Sequence, residues 1–299
     1  MTVVAEGVAY VPATCGELLQ GVDDHGPLLV SLPFERYGTV RVTLTDEPET
    51  SVNPPLPKAT AALQLTVDRC GWRGGVRVEL GGELPHGLGL GSSTADVAGV
   101  IGGVCATTGT ALTQRELLGL LVQVEPSDSS PLRGLWAIDH VEASRAVRLR
   151  GSLPNGMWLA VVDGSAAVST QAVHRELGPG PRISEGMLEA RHWQNADTIA
   201  RVATESARRN QRRLPNPAFA AASAAAELTM ACGVSVAHSG SACGVICADL
   251  GAACEARAEL ARRGWQATVR RAWGPGLRVR VAGQPRPRQW RPRNDPPSP

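Results

Sequence analysis

Lysine is almost absent from this chain. Lys58 is the only one among 30 basic residues, and arginine supplies the rest. A lone lysine in such a background reads as one kept for chemistry, because its ammonium is a compact charge where arginine offers a planar fork. A solvated lysine at a helix start is the plainer alternative. No run of about 18 apolar residues occurs, so no membrane-spanning helix is expected. The N-terminus has no basic stretch leading into an apolar one, so no secretory signal is expected. There is no Cys-x-x-Cys pair. Cys15, Cys70, Cys105, Cys232, Cys243, Cys247 and Cys254 form an odd set without metal-type spacing, which reads as buried, reduced thiols in a cytoplasmic protein. A large charge excess is missing too. The formal net charge is +2 over 299 residues, which argues against a nucleic-acid partner, although residues 284–299 are locally basic. What remains is 43% hydrophobic and 19% charged, an ordinary soluble composition, long enough for one large domain or two fused lobes.

The most informative stretch runs from Leu84 through Pro85, His86, Gly87, Leu88, Gly89, Leu90, Gly91, Ser92, Ser93, Thr94 and Ala95 to Asp96. Three alternate glycines let the backbone turn and approach a ligand closely. A helix beginning just after them presents unpaired N–H groups and the positive end of its dipole, an arrangement suited to phosphate. The three hydroxyls can add hydrogen bonds or a magnesium ligand. The stretch lacks the lysine of a P-loop, and Gly87-x-Gly89-x-Gly91 has the wrong spacing for a dinucleotide fingerprint. A glycine-rich turn with a serine N-cap is the alternative.

Pro85 to Ala95 resembles the second motif of the GHMP kinases (galactose, homoserine, mevalonate and phosphomevalonate kinases). Two further stretches resemble that family's other motifs, in order. Val11-Pro12-Ala13-Thr14-Cys15-Gly16-Glu17-Leu18-Leu19-Gln20-Gly21-Val22-Asp23 is similar to the first, and Ala237-His238-Ser239-Gly240-Ser241-Ala242-Cys243-Gly244 to the third. Within the family, several phrases look like the L-threonine kinases of the propanediol-utilisation type: Cys15 to Gly21, Ser92 to Asp96, Glu125-Pro126-Ser127-Asp128-Ser129, Asp139-His140 and Ala237 to Ser241. Pro131 to Trp136 looks unusual between the acidic motif and Asp139-His140, and the Arg/Pro-rich C-terminus has no counterpart in that pattern.

The resemblance implies an α+β fold with an N-terminal lobe like ribosomal protein S5 domain 2 and a ferredoxin-like C-terminal lobe. The division expected is 1–150 for the ATP-binding lobe, 151–283 for the second lobe and 284–299 for a disordered tail. It implies ATP and magnesium as cofactors and an alcohol as acceptor. L-threonine, yielding O-phospho-L-threonine for cobalamin synthesis, is the leading acceptor. Homoserine or a specialised-metabolite alcohol is the alternative, and a silent sensor on the same fold is the rival outside enzymes. The partner expected is thus a small-molecule alcohol or hydroxy-amino acid; a homodimer is compatible with the sequence.

Residue by residue, Pro85, Gly87, Leu88, Gly89, Leu90, Gly91, Ser92, Ser93, Thr94, Ala95 and Lys58 are expected at ATP. By family analogy Ser93 and Glu125 are magnesium ligands. Asp128, in a turn three residues after Glu125, is the candidate base or orienting carboxylate; an Asp closing its own turn is the alternative. Family members such as galactose and mevalonate kinases place an aspartate after this region, whereas homoserine kinases manage without one. Glu17 stands where the homoserine-kinase motif has asparagine, and could bind a substrate ammonium. Asp23, His238, Ser239, Gly240 and Ser241 are further substrate candidates, and Asp139-His140 a weaker one.

Periodicity places strands over 3–10, 28–32, 38–44, 75–80, 158–162, 234–237, 244–248, 266–271 and 277–281, and helices over 59–70, 96–107, 114–123, 187–213, 217–230 and 252–263. Gly99, Gly102 and Gly103 inside the second helix cost about 1 kcal/mol each, which implies close packing against another backbone.

Overall fold

The computed structural model describes residues 2–164, 180–282 and 288–294. Its frame is one mixed sheet. The first strand, β1 (Val3–Asp23), turns directly into β2 (Gly26–Thr45). Then come β3 (Ser51–Asn53), helix α1 (Pro57–Cys70), β4 (Gly75–Gly82), α2 (Ser92–Thr108), α3 (Gln114–Val124), β5 (Leu135–Ile138) and β6 (Ala146–Arg150). After the turn at 151–157 follow β7 (Trp158–Val162), α4 (Ala196–Asn210), α5 (Phe219–Leu228), β8 (Gly233–Val236), β9 (Cys243–Cys247), α6 (Leu250–Arg262), β10 (Thr268–Arg271), β11 (Arg278–Val281) and β12 (Arg288–Trp290). The strand order is β10-β7-β9-β8-β1-β2-β4-β3, with β5 and β6 branching from β2, and β11 and β12 from β1. Among the described strands, β3 and β4 are the pair that runs in parallel.

Motif one is not a loop between strands at 3–10 and 28–32, as the sequence reading has it. β1 runs through it. Register shifts between Pro12 and Ala13, Thr14 and Glu17, and Glu17 and Leu19 break the regular ladder. Such bulges re-aim side chains. In a regular strand residues three apart face opposite sides, yet the last shift lets Glu17 and Gln20 line one cavity.

Helix α2 is buried along nearly its whole length, packed on β1 and β2. Its glycines do mark a close approach, but to side chains. A Cβ on Gly99, Gly102 or Gly103 would come within 2.4–2.5 Å of Val40, Leu277 or Val42. Thr113 and Glu116 close a capping box at the start of α3, which fixes the helix that ends at Glu125.

The helix expected over 187–213 is shorter. Residues 185–193 form two single 3-10 turns, and Asn195 caps α4 with Thr198 in a capping box. Asn competes with a helix interior for backbone groups and so starts the helix where it stands. The expectation of a disordered 284–299 is corrected for its middle. Arg288–Trp290 pairs with β11, and Arg293 bonds to Leu112 through its N–H and accepts from Gln114 through its carbonyl. The tail has little to bury, but the free edge of β11 offers its strand a ladder. Residues 283–287 and 295–299 lie outside the described residues. No helix among the described residues is long and apolar enough to cross a membrane.

Candidate active site

The site is assembled from four segments that meet at the N-terminus of α2. Gly87, Gly89 and Gly91 all have left-handed φ values, 79°, 84° and 75°. Gly91 is the N-cap of α2 and brings no side-chain cap, so the first-turn N–H groups receive no cap from that residue. The loop is held from both sides. Thr14 in motif one donates its N–H to the Leu90 carbonyl at 3.1 Å. Ser241 and Ala242 in motif three donate theirs to the Leu88 carbonyl at 3.2 and 2.9 Å. Gly240 and Gly89 touch backbone to backbone: a Cβ on Gly240 would sit 2.4 Å from the Gly89 Cα.

An open cavity of about 220 Å³ lies in front of this loop. Ser93 donates to Glu125 Oε1 at 2.5 Å, and Lys58 pairs with Glu125 Oε2 while standing 3.3 Å from Ser93 Oγ. The lone lysine therefore reaches the site from the first turn of α1, the serine from α2, and the carboxylate from the end of α3. Asp128 follows in the next turn. Its N–H is 3.3 Å from Thr94 Oγ1, and Ser31 donates to Oδ1 at 3.5 Å. Burial pushes the Asp128 carboxyl up to about 6, helped by the charge of Glu125. Glu17 is buried opposite. Burial and the Asp128 charge push its carboxyl well above the usual range, against the pull of the His238 N–H, which donates to Oε2 at 2.7 Å.

Of the residues the sequence singles out, Lys58, Gly87, Gly89, Gly91, Ser92, Ser93, Thr94, Glu125, Asp128, Glu17, Ser239 and His140 line this cavity. Pro85, Leu88, Leu90, Ala95, His238, Gly240 and Ser241 do not line it. The Leu90 and Ala95 side chains belong to the core, and Leu88, Gly240 and Ser241 clamp the loop. Asp23 is engaged elsewhere: it pairs with Arg145 at 2.5 Å and accepts from the His25 N–H. Asp139 is consumed by its own turn, accepting from Val141, Glu142 and Ser144.

Sequence reasoning missed Gln20, Leu29, His86, Pro126 and Ser127 as lining residues. It also missed a polar region behind Glu17. Gln20 Oε1, His238 Nδ1 and both amide atoms of Asn210 are buried without a hydrogen-bond partner among the described residues. Ser206 on α4 joins Gln20 and His238, accepting from the Gln20 N–H at 3.2 Å and standing 3.5 Å from His238 Nε2. Burial pushes His238 down to about 3, so its ring is neutral. The signal available was the phrase from Cys15 to Gly21, which contains Gln20; nothing in the sequence pointed to Asn210.

Such a constellation has relatives. The model of the GHMP kinase N-terminal domain matches residues 57–132, and that of the GHMP kinase C-terminal domain matches 186–266. The chain is 31% identical over 251 residues to an L-threonine kinase of Salmonella typhimurium, covering 78% of this chain and 80% of that one. This chain belongs to the GHMP kinase family. An L-threonine kinase of Citrobacter freundii is 34% identical over 250 residues, 78% of this chain and 84% of its own length. Among solved structures, a homoserine kinase from Cytophaga hutchinsonii superposes with a TM-score of 0.70 at 16% identity, over 92% of this chain and 97% of that one. The protein is therefore a small-molecule kinase with the GHMP fold, a phosphotransferase that acts on an alcohol group. In this GHMP kinase the three sequence motifs correspond to the strand, the glycine loop and the clamp just described.

Proposed function

We propose that this kinase transfers phosphate from ATP to the side-chain hydroxyl of L-threonine, giving O-phospho-L-threonine for cobalamin synthesis. The observation that carries the reading is the pairing of two buried carboxylates, Asp128 and Glu17, across a cavity fronted by an uncapped helix N-terminus. The likeness to two L-threonine kinases supports the same acceptor.

The residues fit the cofactors. Three left-handed glycines shape the loop, with Gly89 tight against Gly240 and Gly91 against Thr14, and the first turn of α2 offers N–H donors to phosphate oxygens. Ser93 and Glu125 offer a hydroxyl and a carboxylate on one side of the cavity, the hard oxygen set magnesium takes when phosphates and waters complete its shell. When bound, ATP supplies the transferable phosphoryl group, and the metal neutralises charge on its oxygens. Lys58 adds positive charge where negative charge accumulates. Asp128 orients the acceptor hydroxyl and takes its proton. Glu17 accepts the α-ammonium through a charge-assisted hydrogen bond. Gln20, which lines the cavity, leaves a buried carboxamide oxygen for the rest of a polar head group, an atom that a purely hydrocarbon alcohol would leave unmatched at about 1–3 kcal/mol.

The test is an ADP-release assay with ATP and magnesium over L-threonine, L-serine, L-homoserine, D-threonine, galactose and mevalonate. A strong preference for L-threonine is expected. Turnover confined to another alcohol overturns the acceptor, and silence across the panel overturns the amino-acid reading as a whole. Glu17→Gln is expected to raise KM for L-threonine about 10–100-fold, the scale of a hydrogen bond to a charged group, with KM for ATP unchanged. Lys58→Arg is expected to lower kcat by roughly tenfold, about 1–1.5 kcal/mol, because the longer fork cannot occupy the narrow place between Ser93 and Glu125. An unchanged kcat would sink that role.

A further inference from the structure

The two stretches that depart from the family's pattern, Pro131 to Trp136 and residues 288–294 of the Arg/Pro-rich C-terminus, meet in space. Gln114, the first residue of α3, donates its N–H to the Arg293 carbonyl at 3.1 Å and its side-chain amide to the Pro292 carbonyl at 3.2 Å. Its side-chain oxygen accepts from the Arg133 N–H at 2.9 Å. Leu277 donates to the Pro131 carbonyl at 2.8 Å, and Trp290 anchors the tail by donating to the Thr110 carbonyl at 3.2 Å. Between these segments lies a crevice of about 210 Å³.

Its lining contains Arg133, Arg291 and Arg293, and no carboxylate among the described residues. Arg133 and Arg293 form no ion pair among the described residues. Arg278, at the start of β11, adds a fourth charge close by; its guanidinium lies over the Tyr37 ring, 5.3 Å from the centroid, and its Nε is buried without a hydrogen-bond partner among the described residues. Burial, then the charges of Arg133 and Arg278, lower the affinity of the Arg291 guanidinium for its proton. Like charges gathered round one crevice repel one another, and an anion between them removes that cost. The backbone of the tail is tied down by hydrogen bonds, so the guanidiniums are presented rather than trailing in solvent.

We propose that this crevice is a second binding site, distinct from the catalytic cavity, for a compact phosphate-bearing small molecule. Guanidinium forks match phosphate oxygens two at a time. Three arginines round so confined a crevice favour a small, highly charged anion. The site touches both ends of the segment that carries the catalytic carboxylates. Gln114 begins the helix that ends at Glu125, and Leu132 donates to the Ser129 carbonyl at 3.0 Å, one residue beyond Asp128. A ligand here bears on the frame that aims both groups.

The experiment is isothermal titration of the full chain with inorganic pyrophosphate, comparing the unmodified protein with the double variant Arg133→Gln/Arg293→Gln. The catalytic cavity is the same in both, so its contribution cancels. One binding event is expected to weaken at least tenfold in the double variant and to be regained in Arg133→Lys/Arg293→Lys, at reduced affinity. Identical isotherms for the unmodified protein and the glutamine variant overturn the site. Citrate binding that needs the two arginines, without pyrophosphate binding that does, overturns the phosphate assignment in favour of a polycarboxylate. The glutamine substitutions alter exposed side chains and leave the backbone hydrogen bonds of Arg133 and Arg293 in place, and a circular dichroism melt checks that the fold is kept.

Discussion

Replacing Asp128 with asparagine is expected to lower kcat by about 10²–10⁴-fold, the usual worth of a positioned general base, with KM for ATP close to that of the unmodified enzyme. The amide keeps the shape of the carboxyl, and its oxygen can still accept from Ser31, so position survives while proton uptake is lost. A loss below about tenfold would reduce Asp128 to an orienting group. The same residue sets a pH dependence. Burial and the Glu125 charge hold its carboxyl up to about 6 in the free enzyme. The ionised form is the competent one, so kcat/KM should rise as pH rises through about 6 and level off above it, falling about tenfold per pH unit on the acid side. In Asp128→Asn that acid limb should vanish from whatever rate remains. Steady-state kinetics from pH 5 to 8 on both proteins reads out the difference.

The second large effect is expected for Gly91→Ala. Gly91 has φ +75°, and a Cβ there would lie 2.5 Å from Thr14 Cγ2 and 2.9 Å from Asp128 Oδ2. The left-handed conformation alone costs a non-glycine residue about 1–2 kcal/mol, and the overlap adds to it. Relief must come from shifting either the strand that carries Thr14 or the turn that carries Asp128. A displacement near 1 Å at reacting groups can cost about 100-fold in rate. The variant should therefore lose about 100-fold or more in kcat while melting a few degrees lower. A melting point and kcat both within error of the unmodified enzyme would show that the loop is not confined as described.

The three motifs were legible because each rests on local chemistry that a linear sequence displays. Alternate glycines followed by hydroxyl residues announce a loop feeding a helix; Glu125 and Asp128 share one turn; Lys58 is conspicuous by its solitude. The bulges of β1 were hidden. They depend on how β2 and β8 pair with it, so the strand read as two pieces and Gln20 went unnoticed three residues after Glu17. Leu88, Leu90 and Gly240 were assigned to ligands because sequence shows that a loop is glycine-rich and not which of its faces is turned to protein. Asn210 could not have been found, since a polar residue at the end of an amphipathic helix reads as solvent-facing until another element covers it. Asp23 and Asp139 are carboxylates used up by a neighbouring arginine and by a turn.

One consequence lies in the pairing of β1 with β11. Gly7 to Tyr10 stand in register with Val281 to Arg278, so the strand takes its partner from about 270 residues further along the chain. At roughly 5–20 residues per second, the interval between them is about 15–55 s. Throughout it, one edge of β1 and the apolar face beneath it await covering. Contacts so distant in sequence also slow folding once synthesis is complete. The nascent chain therefore has an extended window in which β1 is open to mispairing, and chaperone occupancy during synthesis should concentrate on the β1–β2 hairpin and be released only after residue 281 emerges.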